Sequence, residues 1–366
     1  MQLNLEGALG EHVAGVKAYS ESRSRLTTSP MVICSYDAAS EILLYPETFA
    51  TIKGVLQNPL QEQASGNAWR TILDHHLELD DSTTHNKVKN MLRPLFSRER
   101  RFAAASEARR TAQKSLETQF HTRPMGFDLV DPTIGSAVKD GLARALGINL
   151  RRDRDLVHHL ELTSVLFGRR ATPSPDDLQS FFHRFGSYVS EWLRIGADET
   201  RPWRDVLDRF GLGVVLANLW LCWSAGLGTT ERLTSSALVA YLQRHALSHE
   251  QVIRASEVVA CPIQHVRRVA IETTELADYS VNAGDHVLVF IAAANLDERR
   301  GSRPPLTFGA GMHRCLGSDL ARELAYGLLQ EIRQFVVSHD LVVSDTSYST
   351  IGNYFGCTRV QLVAAR

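Results

Sequence analysis

Apolar residues recur at three-to-four spacing over 93–116, 157–167, 178–195, 206–244 and 316–335, and each stretch predicts an amphipathic helix. In the last of them Leu316, Leu320, Leu324, Leu328 and Phe335 keep to one face. Ser248, followed three residues on by Gln251, predicts a capping box that opens a short helix ending by Pro262. Strand signals are fewer and come late. The stretches 266–276 and 287–292 flank a turn at Asn282-Ala-Gly-Asp285, and 342–363 predicts a further hairpin. The pattern reads as a mainly α fold with a minor β portion. Nothing along the chain looks like a repeat, a low-complexity segment or a domain linker, so 1–366 reads as one domain.

Composition narrows the function classes. Forty Lys+Arg against 41 Asp+Glu leave a formal net charge of -1, which gives no electrostatic footprint for nucleic acid. The five cysteines (34, 222, 261, 315 and 357) are scattered and form no C-x-x-C pair, so neither a disulfide framework nor a structural zinc site is expected, and a cytoplasmic setting fits. The opening MQLNLEGALGEHV lacks the basic and apolar regions of a signal peptide. The charge-free run 210–230 approaches the length of a membrane span. With Asn218, Ser224, Trp220 and Trp223 inside it, it reads instead as a buried core helix, and no membrane partner is expected.

The most informative segment is Phe308-Gly-Ala-Gly-Met-His-Arg-Cys-Leu-Gly317. From ordinary residue frequencies, F-G-x-G-x-H-x-C-x-G arises by accident in a chain of this size with odds on the order of one in a million. Gly309 and Gly311 permit backbone conformations and close approaches that let the loop pass flat under a large planar ligand. Cys315 lies at the start of a helix, where the dipole and backbone N–H groups favour the thiolate. A thiolate ligated to haem iron donates electron density that promotes O–O cleavage. His313 is placed to reach an anionic propionate. The plain alternative, an inert buried cysteine, leaves the glycines and the histidine unexplained.

On these residues the chain resembles the cytochrome P450 family. Ser224-Ala-Gly-Leu-Gly-Thr-Thr230 is similar to the family's distal helix, where Ala225 and its small neighbours leave room beside Thr229. The stretch 79–89, with His85 and Lys89, resembles the family's propionate-binding stretch, and Pro262-Ile-Gln-His-Val-Arg-Arg268 the strand that sends an arginine to the haem. The resemblance implies a single haem-thiolate domain holding haem b (iron protoporphyrin IX), with Cys315 as the metal ligand. Phe308, Gly309, His313, Gly317, His85, Lys89 and Arg268 become the cofactor-binding set, and Thr229, Gly228 and Ala225 the catalytic positions. Arg267 takes the role of Arg268 if the strand register slips by one.

The chain also departs from the family pattern. The acidic residue expected before the distal threonine is Gly228, which cannot carry a proton. The family's E-x-x-R helix reads Glu257-Val-Val-Ala260, without its arginine, and after Asp297 the chain runs through Glu298-Arg-Arg-Gly-Ser-Arg303 almost directly into the cysteine loop, so the partner arginine is also absent. The segment 242–257 is shortened as well. Losing both arginines costs less than losing one, which leaves a buried charge unpaired, and the pattern reads as trimming. Glu257 is then expected to be exposed or re-paired with a nearby arginine. Lys89 stands where arginine is more usual and keeps the charge without the bidentate fork.

The resemblance implies a monooxygenase that tailors a specialised metabolite by hydroxylation, epoxidation or oxidative coupling, fed by a separate donor such as a ferredoxin. The missing acid favours a second enzymatic reading, in which the protein uses peroxide or catalyses dehydration, rearrangement or ring closure. A third reading, a silent haem-binding or recruitment protein, gives no reason for an intact iron ligand. The substrate pocket is expected between the loop before His85, Ala217, Leu221 and Ala225, residues 263–266 and residues 351–355. Trp220, Trp223, Tyr354 and Phe355 are expected in the core, His265 at the pocket or partly exposed, and His75 and His76 on a loop surface. Arg299, Arg300, Arg303 and Arg314 form either a solvated surface or a basic docking face for an acidic donor.

Overall fold

The computed structural model describes residues 7–23, 30–51, 75–166, 175–196, 198–243, 247–277, 279–351 and 353–365. The expected helix end at Phe167, much of the loop before His85 and residue 352 of the pocket lie outside these. The fold is mainly helical with a minor β portion, as the pattern predicts. The helices are α1 (Gly7–Arg23), α2 (Tyr36–Leu44), α3 (Thr83–Leu92), α4 (Arg98–Thr122), α5 (Ser136–Leu146), α6 (Arg154–Leu166), α7 (Pro175–Ile195), α8 (Arg201–Phe210), α9 (Leu212–Gln243), α10 (His249–Val259), α11 (Ile291–Leu296) and α12 (Ser318–Ser338). The chain divides into two compact units, one of Met1–Ala50, Ala105–Gly141 and Gly228–Arg366 and the other of Thr51–Ala104 and Leu142–Leu227.

The first unit carries the sheets. Strands β1 (Met31–Ile33), β2 (Phe49–Thr51), β4 (Val266–Ala270) and β7 (His286–Val289) form a four-stranded sheet in the order β1-β7-β4-β2, and β5 (Thr274–Leu276) pairs with β6 (Tyr279–Val281). Strand β3 (Phe127–Asp128) joins the hairpin of β8 (Leu341–Ile351) and β9 (Tyr354–Ala364). That hairpin falls where the alternation predicted it. The predicted strand 266–276 is split at 271–273, and the one expected over 287–292 stops at Val289. The Phe290 N–H is taken by the Ile33 carbonyl at 2.8 Å, and α11 begins at the next residue.

Helix α10 opens on the predicted capping box: Ser248 Oγ accepts from the Gln251 N–H at 3.2 Å, and Gln251 Oε1 accepts from the Ser248 N–H at 2.9 Å. Helix α12 buries Leu320, Leu324, Leu328 and Phe335 on the expected face, although it starts at Ser318 rather than Leu316. The helix predicted over 206–244 is two helices, because Gly211 with φ 86° separates α8 from α9.

The second unit packs around Trp203, Trp223 and Phe185, all fully buried. Trp203 Nε1 donates to the Leu146 carbonyl at 3.0 Å and Trp192 Nε1 to the Gly147 carbonyl at 3.2 Å, so each indole body is buried while its polar edge is satisfied. The charge-free stretch belongs to α9, whose 32 residues are long and apolar enough to cross a membrane. Asn218 is fully buried on it, and its amide accepts from the Leu77 N–H at 3.1 Å and donates to the His75 carbonyl at 2.9 Å. These bonds draw the 75–77 segment onto the helix. His76 is therefore buried against Trp220, with ring centroids 5.3 Å apart, which corrects its expected place on a loop surface. Burial lowers its pKa and keeps the ring neutral.

Candidate active site

Cysteine chemistry singles out one residue in the first unit. Cys34, Cys261 and Cys357 are buried, and burial pushes all three thiols up, those of Cys261 and Cys357 to about 12. Such thiols stay protonated near neutral pH and are poor nucleophiles. Cys222 is half-buried and Cys315 is exposed.

The loop that presents Cys315 is set by its glycines. Gly309 and Gly311 have φ of 67° and 61°, a left-handed backbone that side chains rarely adopt. A Cβ on Gly311 would lie 2.6 Å from the Leu43 carbonyl oxygen at the end of α2. The close approach read from sequence is thus, at Gly311, an approach to α2. A Cβ on Gly309 would meet nothing nearer than 3.5 Å. The Cys315 N–H donates to the Phe308 carbonyl at 2.8 Å, closing the loop, and Gly317 caps α12. Phe308, Gly309 and His313 are half-buried along it.

The other candidates fall in both units. In the first, Arg268 is 8% exposed on β4 while Arg267 points outward, so the strand register selects Arg268. Arg268 pairs across the sheet with Val287 and donates to the Arg267 carbonyl at 2.8 Å. Asn353 Oδ1 accepts from the His265 N–H at 2.9 Å, fixing the approach to β4, and His265 is half-buried as expected. Phe355 is core, but Tyr354 is 37% exposed, against expectation. Thr229 and Gly228 are half-buried on α9, and a Cβ on Gly228 would meet no described atom within 4 Å. In the second unit His85 is buried one turn into α3, whose N-cap is Ser82, and Lys89 follows one turn later, half-buried. Leu221 and Ala225 are half-buried; Ala217 has no exposed surface and does not line an open space.

No family model matches the chain. Among curated proteins it is similar to cytochrome P450 109 of Bacillus spizizenii, 37% identical over 119 residues, which are 27% of this chain and 29% of that protein. To cytochrome P450 119 of Sulfolobus acidocaldarius it is 23% identical over 260 residues, 66% of this chain and 69% of that protein. The matches thus span about 30% of the length of the first curated relatives. Among solved structures, P450BioI in complex with hexadec-9Z-enoic acid ligated acyl carrier protein matches with TM-score 0.78 at 16% identity, over 97% of this chain and 99% of that one. A post-tailoring hydroxylase of himastatin biosynthesis, HmtN, matches with TM-score 0.71 at 17% identity, over 91% of this chain and 90% of that one. Fold, repeated sequence matches and an exposed cysteine in the signature loop agree. The chain has the cytochrome P450 fold and is similar in sequence to curated cytochromes P450.

The surroundings of this loop answer the departures read from the sequence. Glu257 is fully buried, which excludes the exposed alternative, and it is re-paired: Arg322 on α12 grips it with Nε at 2.7 Å from Oε1 and Nη2 at 3.1 Å from Oε2. Ala260, where the motif's arginine would stand, is itself fully buried. The shortened segment after α11 is bolted down by other means. Asp297 accepts from the Tyr36 N–H at 2.8 Å, the Tyr36 hydroxyl donates to the Pro304 carbonyl at 2.8 Å, and the Arg303 guanidinium lies 4.3 Å over the Tyr36 ring. Arg299 pairs with Asp297 and Arg303 with Asp37, while Arg300 donates to the Asn295 carbonyl at 2.9 Å. Arg299, Arg300 and Arg303, read as part of a possible docking face, are thus used within the chain. Sequence reasoning missed Arg322 and Asn295, and it noted Asn218 in the apolar helix without the bonds it makes to 75–77. The signal was present for Asn218, a lone amide in an apolar helix, but pairing across 65 positions leaves no local trace.

Proposed function

We propose that the chain, over 1–366 as one functional domain, is a haem-thiolate monooxygenase that hydroxylates, epoxidises or oxidatively couples a specialised metabolite. Electrons would come from a separate ferredoxin-type donor, and the setting would be the cytoplasm. The observation that carries the reading is Cys315: the one exposed cysteine among the described residues, in a loop whose glycine conformations and Phe308 bond hold it at the foot of α12. This donor chemistry fits a haem, and the cofactor proposed is haem b. His85, Lys89, Arg268 and His313 would hold its propionates, and Phe308, Gly309 and Gly317 would shape the loop beneath it. Once bound, the haem supplies oxygen activation with electron density pushed from the thiolate.

The remaining work falls to α9. Ala225 keeps a small side chain where bulk would crowd a substrate. The Thr229 hydroxyl is the proton-carrying group, with no side-chain acid at 228, so protons must reach it through water. That gap supports the second reading: peroxide use, or a non-oxidative dehydration, rearrangement or cyclisation. Arg299 and Arg303, although paired, keep about half their side chains exposed (51% and 45%), which leaves them accessible to an acidic donor. The test is the spectrum of the reduced, carbon monoxide-bound protein. A strongly red-shifted Soret band that disappears in Cys315→Ala supports thiolate ligation by Cys315. A histidine-type spectrum, or a band unchanged in the variant, overturns it.

A further inference from the structure

The bonds around Glu257 form a clamp on both feet of the cysteine loop. On the side after Cys315, the Glu257 carboxylate holds the Arg322 guanidinium in a two-point grip, and the same guanidinium lies 4.6 Å over the Phe308 ring. On the side before it, the Glu257 carbonyl accepts from the Thr307 hydroxyl. Asn295, 1% exposed, donates to Thr307 Oγ1 at 2.8 Å and accepts from the Leu306 N–H at 2.7 Å. Phe308, pressed between these feet, supplies the carbonyl that the Cys315 N–H binds. One buried glutamate thus holds Thr307 and Asn295 through its carbonyl and Arg322 through its carboxylate.

Resting on the haem-thiolate reading, we infer that Arg322 is a positioning residue for the Cys315 thiolate, acting by stacking on Phe308, whose carbonyl the Cys315 N–H binds. The chemistry requires an arginine. A planar guanidinium bonds a carboxylate at two points along its edge while presenting its face to an aromatic ring, and an ammonium does not combine the two. A structural ion pair alone would need only the charge. Arg322 remains 22% exposed at its side chain and has Asp319 at 3.4 Å as a further partner, so it sits at the border of the core with its working face inward.

The test uses the haem-loaded protein and the Arg322→Lys variant, which keeps the charge and loses the fork and the stacking. The readout is the share of the carbon monoxide complex with the red-shifted thiolate band, and the rate at which mild guanidinium converts it to the short-wavelength form. Arg322→Lys is expected to convert about tenfold faster, equivalent to ~1.4 kcal/mol of lost loop stabilisation, with its melting temperature nearly unchanged. Arg322→Gln is expected to convert faster still, and Asp319→Asn at the wild-type rate. Wild-type conversion in Arg322→Lys, or a fall in melting temperature with no change in conversion, overturns the inference. A wild-type protein without the thiolate band overturns the haem-thiolate reading instead.

Discussion

Gly228→Asp returns a carboxylate to the turn of α9 that carries Thr229. A Cβ there meets no described atom within 4 Å, so the first side-chain atom has room. Replacing a mid-helix glycine by aspartate gains a few tenths of a kcal/mol, about 0.3, in helix propensity. Against this, the new charge faces Glu231 three residues on, a like-charge pair that costs ~0.2–0.5 kcal/mol. Folding stability should therefore stay within about 0.5 kcal/mol of wild type, a melting shift of about 1–2 °C. The effect on chemistry is larger in prospect, because a positioned acid contributes ~10²–10⁴-fold. In donor-driven turnover the variant should put more electrons into product and release less hydrogen peroxide, with a rate gain no greater than that factor. Peroxide-driven turnover should change little, and Thr229→Ala should impair the donor-driven reaction more than the peroxide-driven one. Measuring product, electron consumption and peroxide release together decides the matter. If both variants leave oxidative turnover untouched, or the substrate is converted with neither electrons nor peroxide, the monooxygenase reading gives way to a non-oxidative one.

Other expectations follow from particular contacts. Arg322→Met leaves Glu257 fully buried with only Arg254 at 3.9 Å and should cost ~3–5 kcal/mol, whereas Glu257→Gln leaves a partly exposed arginine beside Asp319 and should cost less; equal losses in denaturant midpoint would contradict this. Gly311→Ala must displace the Leu43 backbone, while Gly309→Ala bears only the left-handed strain of ~1–2 kcal/mol, so calorimetry should find the first clearly more destabilising. Burial raises the Glu231 carboxyl, opposed by Arg232 and reinforced by Asp131 and Asp128. Its folded pKa thus exceeds the unfolded value, and stability falls as pH rises through that window. Glu231→Gln should melt higher than wild type near neutral pH, with the advantage gone below about pH 4. Arg268→Ala should lose haem about 10–150-fold faster, the worth of one charge-assisted bond (~1.5–3 kcal/mol), and Arg267→Ala should not.

What the sequence made legible was local. The Ser248 box, the leucine face of α12, the late hairpin and the alternation that buries Arg268 and exposes Arg267 all depend on residues a few positions apart. The cysteine loop is legible for the same reason. Among the described helices α1, α2, α3, α5 and α11 escaped: α11 is too short to show a period and follows an apolar run read as strand, and the others carry alanine, glycine, polar or charged residues among their apolar positions. Glycine at 211 broke a helix whose periodicity ran on across it. His76 was misplaced because its burial depends on an amide 142 positions away, at Asn218 on another element.

The two kinds of departure from the family pattern have different physical consequences. A carboxylate with no exposure and no cation beside it costs about 3–5 kcal/mol, so with alanine at 260 Glu257 needs a pairing from elsewhere in the chain. Arg322 makes it, with Asn295 and Thr307 completing the bonds around Glu257. The empty position at 228 carries no such demand, because a helix with glycine there is only slightly less stable. Three residues further along α9, Glu231 is turned toward another neighbour: its Oε2 lies 3.0 Å from where a Cβ of Gly135 would sit. Folding therefore forces the first departure to be mended and is indifferent to the second. A change that folding neither requires nor corrects is one on which the reaction itself can act, which makes position 228 the place to ask what chemistry this chain performs.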